Sequence, residues 1–355
     1  MWLAPRTCQN LKKSHPWAAY YSSWTSQVQL ARVLPHRKEI NRPNWTTNIL
    51  TSRLNLRSSR MFNNSSLASD VFKVVSLDEI PTLQEVFERN FPKYFPLKQY
   101  VRVLKEYKEA KVEPPYQTIY RYGDVENGVY IIQSAFPLVK NVKYSMYYVY
   151  TACEDLSEMK YAFMNTKQIP WTSDSDMFQF EITHERFAPV IFEVAKTKGV
   201  DFTIKKWSML WVPDPIDPST IPEDVYLQRL NLSHAAEVNN NWPHRFPGSE
   251  VYLGQQIFNN YCLGLFRKTD HKLVSSALTF HSGGMYVMYV DPEFRNKGYA
   301  EVVLRNLTYD VQQKGRIPFG IVLLDNTPSL KLTAKLKFQY FSTVYSLDRL
   351  KTNIL

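Results

Sequence analysis

What this chain has little of narrows its reading first. Among 355 residues there are three cysteines, Cys8, Cys153 and Cys262. They are scattered, with no C-x-x-C pair and no Cys/His spacing suited to a metal. This excludes a disulfide scaffold, points to a reducing compartment and leads us to expect no metal site. No run of 18 uncharged apolar residues occurs. The most apolar stretch, Tyr130–Tyr150, is interrupted by Lys140 and Lys143, so no membrane span is expected. Acid is nearly absent from residues 1–69, which hold ten basic side chains and one acid, Glu39, a net of +9. The remaining residues carry 33 basic and 32 acidic side chains. The formal charge of +10 therefore belongs to the leader and not to the body. A body so close to neutral lacks the clustered Lys/Arg face that tracks phosphates, and nucleic acid is not expected as a partner.

The basic leader is rich in Arg, Ser and Asn and carries Trp2, Trp17 and Trp24. That is the composition of a mitochondrial transit peptide, so a mitochondrial location is expected. A cytoplasmic one is the alternative if translation starts at Met61. The chain length suggests two domains, and the sequence divides accordingly. The leader covers 1–69, an N-terminal domain 70–212, a linker 213–223 and a C-terminal domain 224–355. The linker is set by Pro213, Pro215 and Pro218, which neither helix nor sheet tolerates well. A monomer is expected.

Helical spacing marks Leu83, Val86, Phe87 and Phe91, and again Tyr100, Val103, Leu104 and Tyr107. The period then changes to two, predicting strands over Gln117–Tyr122, Gly128–Gln133, Tyr144–Tyr150, Met177–Ile182 and Phe202–Val212. Helices are expected at Leu156–Asn165 and Glu185–Lys198. After the linker the predicted order is strand, two helices, three strands, helix, strand, helix, strand, which is an α+β order.

The chemistry concentrates in Val290-Asp291-Pro292-Glu293-Phe294-Arg295-Asn296-Lys297-Gly298-Tyr299-Ala300. A strand (Met288, Tyr289, Val290) ends, a polar turn follows, and a helix begins at a glycine. A helix N-terminus offers unpaired N–H groups and a positive dipole end to an anion. Gly298 lets a phosphate approach the backbone, Tyr299 and Ala300 supply N–H groups, and Arg295 and Lys297 add charge. The segment reads as a pyrophosphate cradle, with an ordinary strand-turn-helix as the alternative.

These residues resemble motif A, R/Q-x-x-G-x-G/A, of the GNAT acyl-CoA N-acyltransferases. The segment Asn326-Thr327-Pro328-Ser329-Leu330-Lys331-Leu332-Thr333-Ala334-Lys335-Leu336-Lys337-Phe338 is similar to the superfamily's N-x-x-A-x-x-L-Y-x-K-x-G-F, with Asn326 and Ser329 on the pattern. Thr333 stands where Tyr is usual, and Lys337 where Gly is usual. Leu232–Trp242, ending in Asn239-Asn240-Asn241-Trp242, looks like the corresponding helix of the animal glycine N-acyltransferases, and the resemblance covers roughly residues 70–347.

The resemblance implies a GNAT acyltransferase fold preceded by a degenerate GNAT-like α/β domain. It implies acyl-CoA as co-substrate and acyl transfer to the amine of a small acceptor such as glycine. A non-catalytic acyl-CoA-binding protein is the alternative. The family's general-base Glu is missing, because the segment reads His281-Ser282-Gly283-Gly284. An attacking amine must lose a proton, and the nearest titratable candidates are His281 and Asp325. Their alternatives are a solvated turn residue and a helix cap, respectively.

Overall fold

Pro81 occupies the first turn of helix α1 (Ile80–Arg89), where its missing N–H leaves no bond unmade. Leu83, Val86 and Phe87 give that helix one buried face. Helix α2 (Phe95–Glu109) buries Tyr100, Val101, Leu104 and Tyr107. These coordinates come from a computed structural model describing residues 70–349, apart from residue 93 and segments 110–115, 139–142 and 173–176. The expected leader lies outside the described residues.

After a short strand β1 (Lys73–Val74), the first half supplies β2 (Tyr116–Tyr122), β3 (Val129–Pro137), β4 (Lys143–Tyr150), β5 (Met177–His184) and β6 (Thr203–Trp211). Helices α3 (Ser157–Asn165) and α4 (Ala188–Thr197) flank β5 in sequence. Segment 213–223 contains no helix or strand. Beyond it come β7 (Val225–Arg229), α5 (Ala235–Asn240), α6 (Ser249–Asn259), β8 (Cys262–Arg267), β9 (Leu273–Thr279) and β10 (Met285–Val290). Then follow α7 (Tyr299–Gln313), β11 (Phe319–Leu323), α8 (Thr327–Lys335) and β12 (Gln339–Arg349). Most of these lie within a few residues of their expected places; β1 was not anticipated.

The strands form one twelve-stranded sheet in the order β1-β2-β3-β4-β5-β12-β6-β11-β10-β9-β8-β7. At its centre, strands from the two sides of the proline-rich segment alternate. β12 pairs antiparallel with both β5 and β6, Val344 lying opposite His184 on one side and Trp207 on the other. β6 in turn pairs antiparallel with β11, Phe319 opposite Trp211. Helix α7 packs on β8, β9 and β10. Its buried Val303, Leu307 and Val311 join Leu265, Val274, Leu336 and Phe338 in one apolar cluster. A larger, tyrosine- and phenylalanine-rich cluster fills the first half and extends under α6.

Candidate active site

The site begins where two parallel strands part. β10 and β11 share a single paired position, Met285 opposite Gly320. On its other edge β10 follows β9 only with a break: Tyr286 pairs with Leu278 and Tyr289 with Ser276, so Val287 and Met288 form a bulge. Val287 has φ 49°, a left-handed backbone that a β-branched residue adopts only where its surroundings force it. A cleft of about 280 Å³ opens along this parting, lined by Met285–Met288 of β10, Gly320–Leu323 of β11, and Asn326, Ser329, Leu332 and Thr333 at the head of α8.

At the far end of β10 the chain turns through a 3₁₀ segment, Pro292–Phe294, and enters α7 at Gly298. Asn296 (φ 63°) and Gly298 (φ 82°) are both left-handed. A Cβ added to Gly298 would meet no atom within 4 Å, so the space above this backbone is open. The first N–H groups of α7 have no partner one turn back. Among the described residues, neither Arg295 nor Lys297 pairs with a carboxylate. Arg295 Nε donates to Val290 O at 3.3 Å, and Lys297 Nζ lies 4.9 Å from the Phe294 ring. Tyr299 donates its side-chain hydroxyl to Asp224. The expected residues Tyr289 to Ala300 thus share one strand-turn-helix. Met288, Asn326 and Ser329 line the adjoining cleft, and Asn326 caps α8 by accepting from Ser329 N at 3.2 Å.

The two expected proton acceptors are placed differently. His281 is fully buried and is not among the cleft-lining residues. Its ring is packed by Tyr100 and Phe136, with Gln256 Oε1 3.2 Å from Nδ1 and the Tyr148 hydroxyl 3.3 Å from Nε2. Burial pushes its pKa down to about 3. A base that must receive a proton from a substrate in the cleft does not fit this placement, and the solvated-turn alternative does not fit either. Asp325 is exposed, does not line the cleft, and leaves the capping of α8 to Asn326.

A side chain at position 284 would meet Tyr286. A Cβ at Gly284 would lie 2.7 Å from Tyr286 Cε2. The tyrosine ring fills the space in which a side chain at 284 would begin, and it packs on Phe280 at 4.7 Å.

Another carboxyl lines the cleft. Glu181 on β5 is 5% exposed. Its Oε2 accepts from the Tyr148 hydroxyl at 2.7 Å, and burial raises its pKa to about 8. Gln179 of β5, Ser346 and Asp348 of β12, and Lys205 of β6 line the same wall. Asp348 accepts from Lys205 Nζ at 3.2 Å, and burial raises its pKa. Sequence reading missed Glu181 because Phe178-Gln179-Phe180-Glu181 alternates as any half-solvated strand does. The alternation is the signal, but its polar face turns to a cavity instead of to solvent.

Comparison with known proteins adds the following. Residues 262–346 match the FR47-like protein family. No curated protein matches this chain in sequence. Among solved structures, a Drosophila protein superposes with a TM-score of 0.70 at 16% identity, covering 79% of this chain and 99% of its own. A GCN5-related N-acetyltransferase from Sphaerobacter thermophilus superposes with a TM-score of 0.50 at 11% identity, covering 80% of this chain and 96% of its own. The fold is that of the GNAT acyltransferases. Within the GNAT fold, the parted strands line the cleft described above. No group of three or more His, Cys, Asp or Glu that could hold a metal is found among the described residues. No helix among them is long and apolar enough to cross a membrane.

Proposed function

We propose that this protein transfers an acyl group from acyl-CoA to the amine of a small acceptor. The observation that carries the reading is the parting of β10 and β11 beside an open, left-handed glycine at the head of a helix. The backbone N–H groups around Arg295–Ala300 and the side chains of Arg295 and Lys297 suit the CoA pyrophosphate. The bulge at Val287–Met288 breaks the β-ladder beside the cleft, where a backbone N–H would polarise the thioester carbonyl. The amine nitrogen then attacks that carbon, the new C–N bond forms, the C–S bond breaks, and CoA leaves as thiolate. The proton shed by the nitrogen goes to the ionised form of Glu181, a stronger base than an ordinary carboxylate because burial raises its pKa to about 8.

A second reading, acyl-CoA binding without turnover, draws on Thr333. It stands where the resemblance expects a Tyr acid, and its hydroxyl donates to the backbone of Ser329 and Leu330. Thiol release with a panel of acyl-CoAs and amines tests the proposal. Turnover supports transfer, and CoA binding without thiol release leaves the binding-only reading. The resemblance motivates including glycine in that panel, and the leader composition motivates a mitochondrial location as part of the proposal.

A further inference from the structure

One end of the cleft is lined by an unbroken run of aromatic rings. Trp242 lies 6.1 Å from Phe246, Phe246 5.0 Å from Tyr144, Tyr144 5.7 Å from Tyr252, Tyr252 5.6 Å from Phe280, and Phe280 4.7 Å from Tyr286. These rings come from β4, the loop after α5, α6, the turn before β10, and β10 itself. All six line the same cleft as Glu181 and Asp348.

The charge inventory of that lining is lopsided. Its ionisable acids are Glu181 and Asp348, and its possible cations are Lys205 and His244. Lys205 is already paired with Asp348. Burial, with Lys205 nearby, lowers the pKa of His244 and disfavours its charged form. Among the described residues, one oxygen of each acid has no hydrogen-bond partner. Asp348 Oδ1 is buried and unbonded, and the hydrogen bond from Tyr148 to Glu181 goes to Oε2.

We propose that this aromatic end of the cleft is the acceptor chamber, and that it selects an aryl- or arylalkylamine lacking a carboxylate, with Glu181 receiving the amine. The inference rests on the acyl-transfer reading. Ring faces attract an ammonium group and pack flat against an aryl substituent, and a buried carboxyl gives the ammonium a hydrogen-bonding partner. An amino-acid acceptor such as glycine brings a carboxylate of its own. Among the lining residues that carboxylate meets no unpaired cation, and burying it without a partner lowers affinity steeply.

The decisive comparison uses one aryl group with and without a carboxylate. Calorimetry on the full chain with CoA present should show 2-phenylethylamine binding, and phenylalanine binding at least about 100-fold more weakly. Glycine should bind more weakly than 2-phenylethylamine as well. Glu181→Gln keeps the shape and a partner for Tyr148. It should weaken 2-phenylethylamine by about ten-fold or more while leaving CoA affinity unchanged. Thiol release from acetyl-CoA should follow the same order of amines. Phenylalanine or glycine binding as tightly as 2-phenylethylamine, or turning over faster, overturns the inference, as does failure of all three to bind. Glu181-dependent binding of 2-phenylethylamine with no thiol release from acetyl-CoA or from longer acyl-CoAs would leave the chamber assigned and remove the transfer reading. Thiol release that prefers glycine would keep the transfer reading and remove the chamber.

Discussion

At the residue scale, Gly298 separates binding from stability. Its φ of 82° and the open space above it give two expectations. Gly298→Val strains the turn and blocks the anion, so both the thermal midpoint and CoA affinity should fall. Gly298→Asn tolerates the left-handed backbone and should keep most of the stability while losing about 10- to 100-fold in CoA affinity, the worth of one or two charge-assisted hydrogen bonds. Calorimetry showing unchanged affinity in both variants would dismiss the cradle. Gly284→Ala should cost about 1–3 kcal/mol through its contact with the Tyr286 ring, measurable by urea titration.

Glu181 also makes stability depend on pH. Its carboxyl, ordinarily near 4.5, sits at about 8 in the folded protein because burial penalises its charge. Between those values the folded chain holds a proton that the unfolded chain has released. The stabilisation is complete below 4.5 and drains away as pH rises towards 8. Asp348, raised by burial, has the same sign. His281 has the opposite sign: lowered from 6.5 to about 3, it contributes above 6.5, and its contribution is lost as pH falls towards 3. The thermal midpoint should therefore decline from pH 5 to pH 8 more steeply in the parent protein than in Glu181→Gln. Equal slopes would mean that the carboxyl is not held neutral.

At the scale of elements, the bulge in β10 carries the sharpest expectation. Deleting Val287 would let Tyr286, Met288 and Tyr289 pair with Leu278, Ala277 and Ser276 in regular register. Thiol release should then fall about 10²- to 10³-fold, the usual worth of one oxyanion donor, while CoA still binds at Arg295–Ala300. A deletion variant of full activity would exclude the bulge from the chemistry. The bulge also marks where legibility ends. The strands, the helices and the Val290–Ala300 turn were readable because each depends on local spacing within one stretch of chain. The cleft wall was not, because Tyr144, Glu181, Lys205, Trp207, Ser346 and Asp348 meet across four strands whose pairing no local pattern records. His281 misled for a related reason. A polar turn residue was expected to meet solvent or substrate, but α2, β3 and β4 bring Tyr100, Phe136 and Tyr148 around it.

At the scale of the whole molecule, the alternation β5, β12, β6, β11 ties the two halves into one sheet. Residues 224–355 alone lack β6 and leave β11 and β12 with open edges in place of a shared neighbour. Residues 70–223 alone lack β12 and expose β5 and β6 in the same way. Unpaired edges of this kind invite aggregation, so neither fragment should show a cooperative thermal transition, whereas the two mixed should recover one. A fragment 224–355 with a sharp transition of its own would show that β6 is dispensable.

The same central strand governs how fast the native state is reached. β12 must find partners about 150 residues away along the chain, His184 for Val344 and Thr203 for Asp348. Contacts so distant are costly to close and slow to form. The hairpins β2–β3 and β8–β9, each joined by a short connection, can assemble early. The middle of the sheet, and with it the wall carrying Glu181 and Asp348, is expected to be completed last.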